Sequence, residues 1–217
     1  MDMTLYSYFR SSCSWRVRAA LSLKGLDYEI EAVNLIKDGG QQLSEDYKKI
    51  NLMAQVPALK VDDTVITQSL SIMEYLEEIC PEPSLLPKTA LERAKVREIC
   101  LIIGSGIQPL QNLSVLQYIA KNEGNEKKLE WAKHVIEKGF EALEKLLVSC
   151  SGKYCFGDSI TFADCFLVPQ IYNAKRFGVT LDRFPTIERI DATLKDHQAF
   201  IASHPSNQPD CPSDIKA

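Results

Sequence analysis

Apolar positions fall into two regimes along this chain. In its first third they come in short runs: residues 4–9, 28–35, 56–61 and 64–67 read as strands, rich in β-branched and aromatic residues. Between the first two runs, residues 12–24 carry apolar residues at helical spacing, with Val17, Ala20 and Leu21 on one stripe, and Gly25 ends that helix as a C-cap. Lys37-Asp38-Gly39-Gly40 is a turn, residues 46–50 form a short helix, and Asp62-Asp63 joins the last two strands as a hairpin. Residues 69–80 are helical, with Ile72, Met73, Tyr75 and Leu76 on the buried side. The order βαβ then ββα implies a parallel first pair with a right-handed crossover.

After the proline-punctuated segment 81–87, a linker by composition, the strand signal vanishes. Residues 91–118, 126–148, 161–177 and 185–196 all carry helical periodicity. The division expected is an α/β domain over 1–82 and an all-α domain over 88–217. Gly104-Ser105-Gly106 with Pro109, and Pro169, interrupt helical stretches and predict kinks. Thr161 and Asp164 have the spacing of a capping box.

Composition narrows the function classes. With 217 residues, 45% of them hydrophobic, the chain can bury a sizeable core. A formal net charge of -4 is the wrong sign for a general nucleic-acid binder. No apolar run reads as a transmembrane segment, and Met1-Asp2-Met3-Thr4 does not open like a signal peptide, so no membrane is expected and the location expected is cytoplasmic. The 7 cysteines and 3 histidines show no metal-ligand spacing, which points to reduced thiols and no metal.

The chemistry concentrates where the first strand meets the first helix, at Ser11-Ser12-Cys13-Ser14-Trp15-Arg16-Val17-Arg18. A helix start offers unpaired N–H groups and the positive end of the peptide dipole, which stabilise anions and thiolates. Bringing a thiol from pKa about 8.5 to about 6.5 requires roughly 2.7 kcal/mol of preference for the anion. One hydrogen bond to a charged group contributes about 1.5–3 kcal/mol and the helix start about 0.3–1. A hydroxyl at a helix start therefore suffices.

That octapeptide resembles the signature of the zeta class of glutathione transferases, whose members act as maleylacetoacetate isomerases. Asn34-Leu35-Ile36-Lys37, Gln55-Val56-Pro57, Gln68-Ser69, the stretch from Gln108 to Ser114 and Ser203-His204-Pro205 agree with it, so the likeness spans the chain. The loop from Glu123 to Glu126 is slightly longer than the family's. The resemblance implies a thioredoxin-like N-terminal domain, an all-helical C-terminal domain, glutathione as cofactor and a homodimer.

It also implies site residues. Ser11 is the first choice for stabilising the glutathione thiolate, with Ser12 and Cys13 assisting; Ser14, Trp15 and Arg16, in the same signature, are further glutathione-binding candidates. A cis peptide before Pro57 would present the Val56 main chain to the cysteinyl part of glutathione. Gln68 and Ser69 fall to the γ-glutamyl end and Gln42 to the glycine end. Gln108, Asn112 and Ser114, on a shared helical face, would wall the site. Arg176 is the candidate clamp for a substrate carboxylate, with Arg16 second. Each has a plainer reading: Ser11, Ser12 or Ser69 as N-caps, Gln42 as a solvated loop residue, the Gln108 group as a solvated face, Arg176 as a partner of its helix dipole.

Cis–trans isomerisation of a conjugated double bond needs transient single-bond character, which reversible addition of a thiolate supplies. The reaction implied is conversion of maleylacetoacetate to fumarylacetoacetate in tyrosine and phenylalanine breakdown, with transferase activity on small α-halo acids. Three alternatives stand beside it: a general detoxifying glutathione transferase, a thiol transferase using Cys13 as nucleophile, and a non-catalytic interaction protein of the same fold.

Overall fold

A computed structural model describes residues 2–216. Its chain folds into two units, one of Met1–Ser84 with His197–Ala217 and one of Leu85–Asp196.

The first unit is built on a four-stranded sheet of order β2-β1-β3-β4, with β1 at Met3–Ser7, β2 at Glu29–Ala32, β3 at Ala58–Val61 and β4 at Thr64–Thr67. β1 runs parallel to β2 and antiparallel to β3, and β3 and β4 form the hairpin. β1 alternates burial, sending Met3, Leu5 and Ser7 inward, which seats the end of the strand firmly in the core. β2 is shorter than the expected 28–35. Val33 still donates to the Ser7 carbonyl at 2.8 Å, but the Asn34 side chain then accepts from the amides of Ile36 and Lys37 and turns the chain away. β3 begins two residues later than expected because Pro57 has no N–H for the ladder. The Val56–Pro57 peptide is cis, as the resemblance implied.

Helix α1, Ser12–Lys24, keeps its expected bounds, with Ser11 as N-cap and Gly25 as a left-handed C-cap at φ 63°. It is buried on more than the one stripe expected. Both α3 (Ser69–Ile79) and α9 (Gln198–Ser203) pack against it. The short helix α2, Glu45–Ile50, is capped by Ser44. Tyr75, expected on the buried side of α3, is only half-buried.

The expected division needs correction at the C-terminus: the last residues of the 88–217 domain belong with the first unit. Trp15 Nε1 donates to Ser203 Oγ at 2.9 Å, Arg18 Nε to the Ser203 carbonyl at 3.2 Å, and the Phe9 amide to Asp210 Oδ2 at 2.8 Å. The proline segment is likewise no loose linker. Lys24 Nζ holds the carbonyls of Cys80 and Pro83, while Leu85 and Leu86 are buried in the second unit.

That second unit contains α4 (Ala90–Leu101), α5 (Leu113–Glu123), α6 (Asn125–Cys150), α7 (Phe162–Arg176) and α8 (Pro185–Leu194). The single helix expected over 91–118 is not one helix. After α4 the chain widens into a π-helix at Ile102–Ile107 and tightens into a 3-10 turn at Gln108–Gln111. It restarts at Asn112, whose extended backbone makes it an N-cap. Two glycines and a proline thus change the hydrogen-bond pattern as well as the direction. By length and composition Ala90–Glu123, 34 residues, is long and apolar enough to cross a membrane, which no stretch was expected to be. The extended backbone at Asn112 interrupts the continuous backbone bonding a span needs. α7 runs on past Pro169, and its capping box forms as expected.

Candidate active site

Ser11 closes a tight turn before α1. Its amide donates to the Tyr8 carbonyl at 3.0 Å, and its carbonyl accepts from the Trp15 amide at 2.9 Å. Its Oγ accepts the Ser14 amide at 3.2 Å. A hydroxyl has one donor and two acceptor positions. Capping occupies an acceptor position, so the O–H stays available to an anion. Among the described residues, the amides of Ser12 and Cys13 meet no acceptor. Ser11 and Cys13 are half-buried and Ser12 is more deeply set at 7% exposure. A hydroxyl, a thiol and two unpaired amides thus share the opening turn.

The rest of the signature faces inward. Ser14 is fully buried, so its part is the amide that donates to Ser11, and its hydroxyl makes no contact of its own. Trp15, 3% exposed, donates to Ser203 and meets His204 edge to face at 5.1 Å between centroids. The Trp15 side chain thus holds α1 to the Ser203-His204 segment. Arg16 is 2% exposed and donates from Nη1 to Ser69 Oγ at 3.1 Å, which leaves no solvent-facing guanidinium for the substrate carboxylate it was considered for.

That Arg16–Ser69 bond ties the start of α1 to the start of α3. Gln68, not Ser69, is the N-cap of α3; its φ of 70° lies in the left-handed region, an uncommon place for a non-glycine residue, and its side chain makes no capping bond. The first amide of α3 with a backbone acceptor inside the helix is that of Ile72, at 3.0 Å from the Gln68 carbonyl. Those of Ser69, Leu70 and Ser71 form a second anion-binding start. At Gln55-Val56-Pro57 the Gln55 carbonyl accepts from Tyr47 Oη and Asn51 Nδ2, both at 2.7 Å, and Val56 has no backbone partner among the described residues. Gln42 is half-buried; its Nε2 reaches the Leu35 carbonyl at 3.5 Å and its buried Oε1 has no partner among the described residues.

In the second unit the expected wall does not share a helical face. Gln108 opens the 3-10 turn, Asn112 caps α5 by accepting the Leu113 amide at 2.8 Å, and Ser114 is exposed in the first turn of α5. Spacing by four meant nothing across a break in the helix. Arg176 is the last residue of α7 and exposed; its Nη1 lies 3.5 Å from Asn173 Oδ1, and its guanidinium carbon is 5.5 Å from the Phe177 ring centroid.

Several residues that shape the site carried no readable signal. Tyr47 and Asn51 hold Gln55 through side-chain bonds to one carbonyl, and Asp210 acts from the far end of the sequence; Ser203 lay in a segment that matched the family, with no role attached to it. Arg18 stood in the signature with no role attached to it.

Comparison with known proteins places the fold in a family. Residues 10–79 match the glutathione S-transferase N-terminal domain family, and residues 111–203 match the C-terminal domain family. The maleylacetoacetate isomerase of Mus musculus is 57% identical over 98% of this chain and 96% of its own. A bacterial maleyl pyruvate isomerase, described as a zeta-class glutathione S-transferase in its holo form, superposes with a TM-score of 0.92 at 41% identity, covering 96% of this chain and 100% of that one. The maleylacetoacetate isomerase of Anaeromyxobacter dehalogenans, solved with glutathione in its active site, gives a TM-score of 0.88 at 43% identity, over 97% of this chain and 98% of the other. The chain belongs to the glutathione S-transferase family, within its zeta class of maleylacetoacetate isomerases.

Proposed function

We propose that this chain catalyses the glutathione-dependent isomerisation of maleylacetoacetate to fumarylacetoacetate, in tyrosine and phenylalanine breakdown. The observation that carries the proposal is the opening of α1, where Ser11 caps through an acceptor position and keeps its O–H for an anion beside two unpaired amides. These groups suit a sulfur anion, and the unpaired amides of α3 with the Ser69 hydroxyl suit a carboxylate, so the residues present fit glutathione. Bound glutathione supplies a thiolate that adds reversibly to the conjugated alkene, which frees the carbon–carbon bond to rotate.

The chain's own residues hold and orient. Ser11 donates to the sulfur, the Ser12 and Cys13 amides add their dipoles, and Cys13 assists as a half-buried neighbour. The Val56 main chain pairs with the cysteinyl part of the tripeptide, Gln68 and Ser69 take its γ-glutamyl end, and Gln42 its glycine end. From the second unit, Gln108, Asn112 and Ser114 serve as polar contacts, and Arg176, exposed and cationic, takes a carboxylate of the substrate. The substrate class is therefore a small unsaturated carboxylic acid, with small α-halo acids as secondary substrates for glutathione transfer. The working form is a homodimer in the cytoplasm, a reading that rests on family likeness.

Assay of maleylacetone isomerisation with and without glutathione tests this. The reading requires isomerisation that depends on glutathione and exceeds conjugation of aryl halides in kcat/KM. Faster conjugation would make the chain a general detoxifying transferase.

A further inference from the structure

Arg18 is fully buried, yet among the described residues its hydrogen bonds go only to neutral oxygens. Nε donates to the Ser203 carbonyl at 3.2 Å, Nη1 to Ser7 Oγ at 2.9 Å and to the Tyr8 carbonyl at 3.3 Å, and Nη2 to the Phe9 carbonyl at 2.9 Å. Removing a guanidinium from water is costly, and here burial pulls its pKa down to about 10. The titratable groups that interact with it electrostatically are Tyr28 and Asp210, which favour its charge, and His204, whose own proton it disfavours.

Its acceptors are the ones that matter for Ser11. The chain between β1 and the N-cap is only Tyr8-Phe9-Arg10. The Tyr8 carbonyl that Arg18 grips is also the one that accepts the Ser11 amide. The Phe9 peptide is held at both ends, its carbonyl by Arg18 and its amide by Asp210 Oδ2 at 2.8 Å. The Ser203 anchor is itself fixed, since its Oγ accepts from Trp15 and donates to the Ala199 carbonyl at 2.7 Å. Residues some 190 positions further along the sequence thus lock the turn in front of the first helix, as the 201-residue separation of Phe9 and Asp210 shows.

We propose that Arg18 and Asp210 are positioning residues for the reaction: they clamp the Tyr8–Arg10 turn so that Ser11 Oγ and the Ser12 and Cys13 amides stay aimed at one point. This rests on the assignment of Ser11 to the glutathione sulfur. The C-terminal segment is then a working part of the thiolate site.

The test is the ionisation of bound glutathione, read by ultraviolet thiolate absorbance, in Asp210→Ala and Asp210→Asn, with Arg18→Lys as the harsher variant. Asp210→Ala keeps the fold by circular dichroism, because the Phe9 amide is only part-buried and water can replace the carboxylate. It also keeps its affinity for S-methylglutathione, whose sulfur cannot ionise. Its bound-thiolate fraction at neutral pH and its kcat both fall by about three- to tenfold, the scale of one hydrogen bond, with substrate KM unchanged. Asp210→Asn, which still offers an oxygen to the Phe9 amide, recovers most of the loss. Bound-thiol ionisation in Asp210→Ala equal to that of the unaltered protein overturns the proposal. Equal losses in Asp210→Ala and Asp210→Asn overturn it too, because charge and not the clamp would then be responsible. A low thiolate fraction in the unaltered protein would instead remove the assignment of Ser11 on which the clamp rests.

Discussion

In the proposed mechanism Ser11 does two jobs that one substitution removes together: its oxygen caps α1, and its proton serves the sulfur. Ser11→Ala loses a hydrogen bond to a charged group, about 1.5–3 kcal/mol, so kcat should fall roughly 10- to 100-fold. Loss of the cap should lower unfolding free energy by about 1 kcal/mol in urea titration. Unchanged turnover in a folded Ser11→Ala would take the sulfur away from this hydroxyl. Cys13→Ser should keep isomerase turnover within a few-fold, because the cysteine assists and does not attack; near-complete loss would make its thiol the nucleophile. The capping role of Ser11 was legible because a hydroxyl before an apolar-periodic run is a local signal. The role of Arg18 was not, since one of its acceptors lies 185 residues away and the others are main-chain carbonyls, which any sequence provides.

Among the elements, α7 has the most demanding start. Asp164 is fully buried and accepts from the amides of Cys155 and Thr161 at 2.9 and 2.8 Å, while Thr161 caps in return. Burial raises the Asp164 carboxyl, and its four hydrogen-bond interactions pull the other way without cancelling it. The folded state thus holds that proton more tightly than the unfolded chain does, so this group's contribution weakens as pH rises through the folded value. Asp164→Ala leaves two buried amides without acceptors, at about 1–3 kcal/mol each, so a loss on the order of 3 kcal/mol is expected in urea unfolding. A loss below about 1 kcal/mol would show that water reaches both amides. This box was legible because both partners lie within four residues. The expected helix over 91–118 failed for the opposite reason: apolar spacing survives a π-helix and a 3-10 turn, whereas the i→i−4 bonding pattern of an α-helix does not. The six residues of α9 are too few to show a period at all.

At the scale of the molecule, the chain returns to its first unit after finishing its second. A chain ending at Asp196 should therefore keep the helical circular dichroism of the second unit but lose glutathione binding, because α9 and its Ser203 bonds to Trp15 and Arg18 no longer pack against α1. Glutathione affinity equal to that of the full chain would show that the first unit stands without its C-terminal segment. Such a return is invisible in a linear pattern, where a change from strand to helix periodicity marks one boundary and nothing marks the way back. The account as a whole turns on a sulfur held as an anion at the start of α1. Ultraviolet titration of the thiol in the protein–glutathione complex measures this directly. The account predicts ionisation with an apparent pKa near ~6.5, roughly two units below that of a free thiol. A bound thiol that titrates in the ordinary range of about 8.5 would contradict it.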